Sequence, residues 1–250
     1  MQFRSTDHLI LYHSDIFNGL DVTTLNSILQ KSIKKQSEKK DQLILQSQSN
    51  KSVYFILFGC VKIRSIADDG RERISEVLGV GDIFGEMTTL HDGPSCTSVV
   101  TLVPSVFMII EKSNFMDLIN YHPKMSLQLL RIFAKRIEHK DRLLNDLFFT
   151  DVNARLAKHL LSLTNVATYK GFGSDGINSQ PDDKRRGQAS TVIKISQQDL
   201  ASMVGVTRES VNKHLKAWER NGIVSLSTGL IDICDADGLV ALIGKKTEKL

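Results

Sequence analysis

A chain of 250 residues, 41% hydrophobic and 24% charged, can bury one large core or two modest ones and is too apolar to remain disordered. Its net charge of +4 permits a polyanionic partner without requiring one. No apolar run has the length of a signal peptide or a membrane span, so a cytoplasmic protein with no membrane partner is expected, and Cys60, Cys96 and Cys234 are too scattered for a disulfide framework or a CxxC metal site.

In chain order, LDVTTLNSILQKS (Leu20 to Ser32) has the spacing of a short helix. From about Leu43 to Ile110 short β-branched runs alternate with turn signals: SVYFILFGCVKIRSI, ADDG, RISEVLGVGDIFG and SVVTLVPSVFMII. That rhythm predicts a sandwich or barrel of antiparallel strands, with a hairpin turning at Asp69-Gly70. Within it lies GEMTTLHDGPSCTSVV (Gly85 to Val100), which has the small residues of a phosphate-holding loop but no cation between Arg73 and Lys112.

Ser113 is a plausible N-cap for the following helical stretch, which Pro123 interrupts, and from Lys124 to about Phe149 there is neither Gly nor Pro. Leu130, Phe133, Ile137, Leu144 and Leu147 keep 3/4 spacing, with Lys140 the one seam position that is not apolar. This pattern predicts a dimerising coiled-coil helix; packing against the chain's own barrel is the alternative, and the two are compatible. Asp151 can cap a further helix, VNARLAKHLLSL, and Tyr169 to Ser190, with Lys184-Arg185-Arg186, reads as a surface loop.

The most specific motif is ISQQDLASMVGVTRESVNKHLKAWERNGIV, Ile195 to Val224. Ser196 is an N-cap with Asp199 three residues on, approximating a capping box. Leu200, Ala201 and Val204 form the inner face of one helix, Gly205 allows a tight turn, and Thr207 caps a second helix with inner face Val211, Leu215 and Trp218. Arg208, Glu209, Asn212, Lys213 and Lys216 then point outward, and IVSLSTGLIDIC reads as a two-strand wing turning at Thr228-Gly229. A winged helix-turn-helix presents such a helix to the major groove, where Arg and Lys donate to guanine and Glu accepts from cytosine.

Along essentially its whole length the chain resembles the CRP/FNR family of bacterial transcription regulators. The resemblance is carried by SVYFILFGCVKI with Gly59, by GDIFGEM, by DVNARLAKHLL and by QDLASMVGVTRESVNKHLKAWERNGIV. It implies an α+β protein: an antiparallel β-roll of the cupin-like jelly-roll type over 1–112, a long dimerisation helix over 113–150, and a winged helix-turn-helix over 151–250. It further implies a homodimer on a palindromic operator in double-stranded DNA, with RNA polymerase a candidate partner, and base contacts from Arg208, Glu209 and Lys213. Lys213 stands where the family often has Arg, and a lysine lacks the planar fork.

In family members that bind cyclic nucleotides, the glutamate of the Gly-Glu pair holds the ribose and an arginine neutralises the phosphate. Gly85 and Glu86 match, but the arginine position falls on Ser95 or Cys96, just before Thr97, and the adenine-contacting pair of the long helix falls on Lys140-Asp141. The usual Gly-Asp turn of the family is also replaced, around Ser47 and Gln48. A buried phosphate without a cation is strongly disfavoured, so cAMP binding of the usual kind is not expected. Three readings of the degenerate pocket remain: it is filled scaffold, it takes another effector with Lys140 supplying charge, or it answers a redox signal through Cys96. Cys60 and Cys234 read as small core residues. No cofactor, metal or catalytic residue is expected, since there is no HxH pair, no nucleophile–base pairing and no cysteine cluster before Cys60. Besides a DNA-binding regulator, a ligand-binding regulatory subunit whose helix-turn-helix contacts protein fits the same residues.

Overall fold

The computed structural model describes residues 3–169 and 191–244. The chain divides into two compact units, Met1–Asp141 and Arg142–Leu250. The segment 170–190, and with it the Lys184-Arg185-Arg186 triplet, lies outside the described residues.

The first unit begins with helices α1 (Ser5–Tyr12) and α2 (Val22–Gln30). Asp21 caps α2 by accepting the Thr24 N–H at 2.8 Å, and the 3/4 spacing buries Leu25, Ile28 and Leu29. Eight strands follow: β1 (Ile33–Ser37), β2 (Gln42–Ile44), β3 (Ser52–Phe58), β4 (Val61–Ile66), β5 (Glu72–Leu78), β6 (Ile83–Phe84), β7 (Ser98–Thr101) and β8 (Ser105–Glu111). They pair antiparallel in two sheets, ordered β1-β8-β3-β6 and β2-β7-β4-β5. The β4–β5 hairpin turns at ADDG as expected, with the Ala67 N–H donating to Arg71 O at 3.0 Å and Gly70 at φ 81°.

The middle of β3, Val53 to Leu57, contributes side chains to apolar layers on both of its faces. Val53, Phe55 and Leu57 pack on the helical layer with Met125 and Leu129, while Ile56 joins Ile44, Val61, Leu78, Phe84, Val99 and Phe107 between the sheets. Tyr54 stacks flat on Phe84 at 4.8 Å, and Phe107 meets both rings edge-on. At the bend after β3, Gly59 has φ 87°, and a Cβ there would lie 2.2 Å from Ser105 Oγ, so only glycine fits.

Helix α3 (Glu86–His91) opens the Gly85–Val100 loop. Helix α4 (Lys112–Tyr121) follows β8 directly, so Glu111 occupies the N-cap position and Ser113 lies inside the helix; the expected Ser113 cap is corrected. Helix α5 (Pro123–Phe149) starts at the proline, whose missing N–H costs nothing in a first turn.

The second unit contains α6 (Val152–Tyr169), β9 (Thr191–Lys194), α7 (Gln197–Val204), α8 (Arg208–Arg220), β10 (Val224–Ser227), β11 (Leu230–Ile233) and α9 (Ala236–Gly244). Its sheet has the order β10-β11-β9, so the wing is completed by a third strand, TVIK, beyond the two expected. Helix α6 packs on α7 and α9, and its Ala154, Leu156, Ala157 and Leu160 are buried. No helix among the described residues is long and apolar enough to cross a membrane.

Candidate functional site: the cassette and the helix-turn-helix

The cassette is positioned by backbone chemistry at both ends. Gly85 has φ 85°, and a Cβ there would lie 2.6 Å from Ser52 O and 2.9 Å from the Asn50 amide nitrogen. A side chain is therefore excluded, and Asn50 instead donates to Gly85 O at 3.3 Å. At the far end, Ser47 takes φ 66°, its N–H donates to Ser95 O at 2.7 Å, and the Ser95 N–H donates to Gln48 O at 2.9 Å. The Ser95 hydroxyl donates to Thr97 O at 2.7 Å. Ser95 is buried and Cys96 is exposed, so the two residues at the arginine position face different environments.

Glu86 is 1% exposed, a costly place for a carboxylate unless a cation joins it. The cation comes from α5. Arg136 Nη1 lies 2.6 Å from Glu86 Oε1, Nη2 donates to Ile83 O at 2.6 Å, and Nε is 3.7 Å from Glu76 Oε1. Burial lifts the Glu86 carboxyl above its ordinary value, Arg136 pulls it down, and Glu76 adds to the lift. Glu86 Oε2 is buried without a hydrogen-bond partner among the described residues.

Lys140 and Asp141 lie exposed one turn further along α5; the guanidinium facing Glu86 is that of Arg136. Along the seam, Leu130 (64%), Ile137 (60%), Leu144 and Leu147 are exposed in the single chain, whereas Phe133 is half-buried against the helical core of the first unit. Two further apolar residues, Phe148 and Phe149, are exposed at the end of the same helix.

The helix-turn-helix follows from its caps. The Ser196 hydroxyl accepts the Asp199 N–H at 3.0 Å and donates to the Asp199 carboxylate at 2.7 Å, so the box closes through the side chains. Gly205 ends α7 at φ 75°, and Thr207 caps α8 by accepting the Ser210 N–H at 3.3 Å. Val211, Leu215 and Trp218 are buried, and the Trp218 indole N–H donates to Asn153 Oδ1 in α6 at 2.9 Å, a partner that spacing alone does not reveal. Thr207, Arg208, Glu209, Lys213 and Lys216 are exposed. Asn212 is half-buried and accepts from Gln197 Nε2 at 3.5 Å, so it is partly engaged. His214 is half-buried, and burial followed by the neighbouring Lys213 holds its imidazole below the ordinary value while Asp151 opposes them.

One of the two core-cysteine expectations is corrected. Cys60 is fully buried in the bend between β3 and β4, with its thiol pushed up to about 12 by burial. Cys234 is exposed, because it follows β11 where the wing leaves the core. His91 is exposed and accepts the Gly93 N–H at 2.9 Å. No group of three or more potential metal ligands occurs among the described residues.

Residues 34–122 match the family model of the cyclic nucleotide-binding domain, and residues 154–242 match that of the Crp-like helix-turn-helix domain. The chain belongs to the CRP/FNR family. It is 28% identical to the CRP-like cAMP-activated global transcriptional regulator of Mycobacterium tuberculosis over 92% of this chain and 96% of that protein. It is 24% identical to the cyclic AMP receptor protein of Thermus thermophilus over 89% and 94% of the two chains. Among solved structures, the c-di-GMP-responsive global regulator CLP of Xanthomonas campestris shares the fold, with a TM-score of 0.69 and 20% identity over 85% of this chain and 99% of that one. This member of the CRP/FNR family thus joins a cyclic-nucleotide-binding-like β-roll to a Crp-like helix-turn-helix.

Proposed function

We propose that this protein is a homodimeric, sequence-specific DNA-binding transcription regulator that cAMP does not control. The observation that carries the proposal is α8: a helix whose inner face is fully buried and whose capped N-terminal end presents Arg208, Glu209 and Lys213 to solvent. Those side chains have the donors and acceptor needed to read guanine and cytosine edges, while Thr207, Asn212 and Lys216 flank them for backbone or base contacts. The exposed Leu130, Ile137, Leu144 and Leu147 form the dimer seam, with Phe133 shared between seam and core. Residues 1–112 serve as the sensor-derived roll, 113–150 as the dimer helix and 151–250 as the DNA reader. No residue is assigned a catalytic role.

The case against cAMP control rests on charge. A cyclic phosphate entering the cassette would meet two carboxylates, Glu86 and Glu76, and one guanidinium already engaged by them. Ser95 and Cys96 provide no cation, and the Ser95 backbone is occupied by Ser47 and Gln48. The protein accordingly binds its operator without added nucleotide.

The test is selection from randomised duplexes by the purified protein, with no nucleotide, with cAMP and with cyclic di-GMP, in reducing and oxidising buffer. A palindromic site selected equally in every condition is the expected result. Selection only with cAMP would overturn the reading of the pocket. Absence of salt-dependent duplex binding in all conditions would sink the DNA-binding reading in favour of a protein-contacting helix-turn-helix.

A further inference from the structure

The break between α5 and α6 is strapped by side chains of α6. Lys158 pairs with Asp146 on the last turns of α5, and the Thr150 hydroxyl donates to the same carboxylate at 3.0 Å. Arg155 Nη1 donates to the carbonyls of Leu147 and Thr150, each at 3.3 Å. Carbonyls at a helix C-terminus have no acceptor role inside the helix, and a cation there also opposes the macrodipole. On the other side of the break, Asp151 caps α6 by accepting the Ala154 N–H at 2.7 Å. Groups at both helix ends therefore have side-chain partners at the break.

The same α6 holds the recognition helix. Asn153 accepts the indole N–H of Trp218, and the α7–α8 turn approaches the end of α5, where a Cβ on Gly205 would lie 3.8 Å from Leu147 Cδ2. The end of α5, α6 and α8 are thus joined by directional bonds, which fix rotation as apolar contacts alone do not. Leu144 and Leu147 of the proposed seam lie on the same turns as Asp146.

We propose that Lys158 is a positioning residue for operator spacing: its pair with Asp146, supported by Arg155, fixes the direction of α8 relative to the end of α5 that carries Leu144 and Leu147, and so the half-site separation a dimer accepts. The inference rests on the dimeric DNA-binding reading. Half-sites read by such dimers lie one helical turn apart, and each added base pair moves and rotates one of them. A strapped break accepts one separation; a loosened one accepts its neighbours as well.

The experiment compares wild type, Lys158→Met and the charge swap Asp146→Lys/Lys158→Asp on duplexes carrying the selected half-sites at the selected spacing and at one base pair more or fewer. Wild type should discriminate against the altered spacings by about tenfold or more. Lys158→Met should reduce that discrimination to about threefold or less with the half-site preference unchanged, and the swap should restore it. Thermal unfolding is followed in parallel. Undiminished spacing discrimination in folded Lys158→Met would overturn the proposal. So would loss of half-site preference together with spacing discrimination that the swap fails to recover, because that is the signature of general damage. Failure of the wild type to select any duplex would overturn the function itself, an outcome distinct from both.

Discussion

Arg136 on the long helix and Glu86 at the start of the cassette are joined at 2.6 Å, and this contact supplies the cation that the Gly85–Val100 loop lacks. A guanidinium spanning Glu86, Glu76 and the Ile83 carbonyl links α5 to β5, β6 and the cassette with groups of the chain itself. A side chain already in place carries no association entropy cost of the kind a free ligand does.

Breaking that contact from one side should be expensive. Arg136→Met leaves Glu86 buried beside a second carboxylate, and a loss of about 3–5 kcal/mol in urea unfolding is expected. In the double variant with Glu86→Gln the losses should fall short of additive by about 1–3 kcal/mol. Additive losses would mean the two groups do not stabilise one another.

Glu86 also predicts a pH dependence. Its carboxyl is lifted in the folded protein, so the folded state holds the proton more tightly than the unfolded chain. The resulting stability is complete below the ordinary value of 4.5 and is lost as pH rises through the lifted folded-state value. Stability of wild type relative to Glu86→Gln, measured by urea unfolding from acid to neutral pH, should therefore decline with rising pH. A flat difference would show that Glu86 does not titrate above its ordinary range.

On DNA, Arg208→Ala should cost about 1–3 kcal/mol at the base pair it reads and relax preference there alone. Lys216→Ala should weaken all duplexes alike and lower the slope of log affinity against log salt by about one. Fluorescence titrations on single-substitution operators at several salt concentrations distinguish the two patterns; identical patterns for both variants would refute the assigned contacts.

The seam makes its own prediction. Leu144→Glu introduces like charges facing each other across a paired helix and should shift sedimentation from dimer to monomer, with palindromic binding lost alongside. A dimer unaffected by the change would move the interface off this stripe.

Much of this architecture was legible because the physics was local. Apolar β-branched runs between turns mark the β3–β8 strands, and Ser196, Thr207 and the 3/4 inner faces mark α7 and α8. Strand β1, with two lysines in IKKQS, and β9 gave no such signal, since each acquires its identity only by pairing with β8 or β11. Arg136 escaped for the same reason: on a helix dense with charge, nothing in the spacing tells which side chain turns inward. Cys234 was misjudged because strand alternation stops at Ile233, and the next residue has no sheet partner to bury it.

The fate of the three cysteines has a practical side. With its thiol near 12 and no solvent access, Cys60 is inert to alkylation at neutral pH. Cys96 and Cys234 are exposed, one in each compact unit. The natural sequence therefore carries its own pair of attachment points for fluorophores or spin labels, and the two units can be tracked during operator binding without introducing or removing a single thiol.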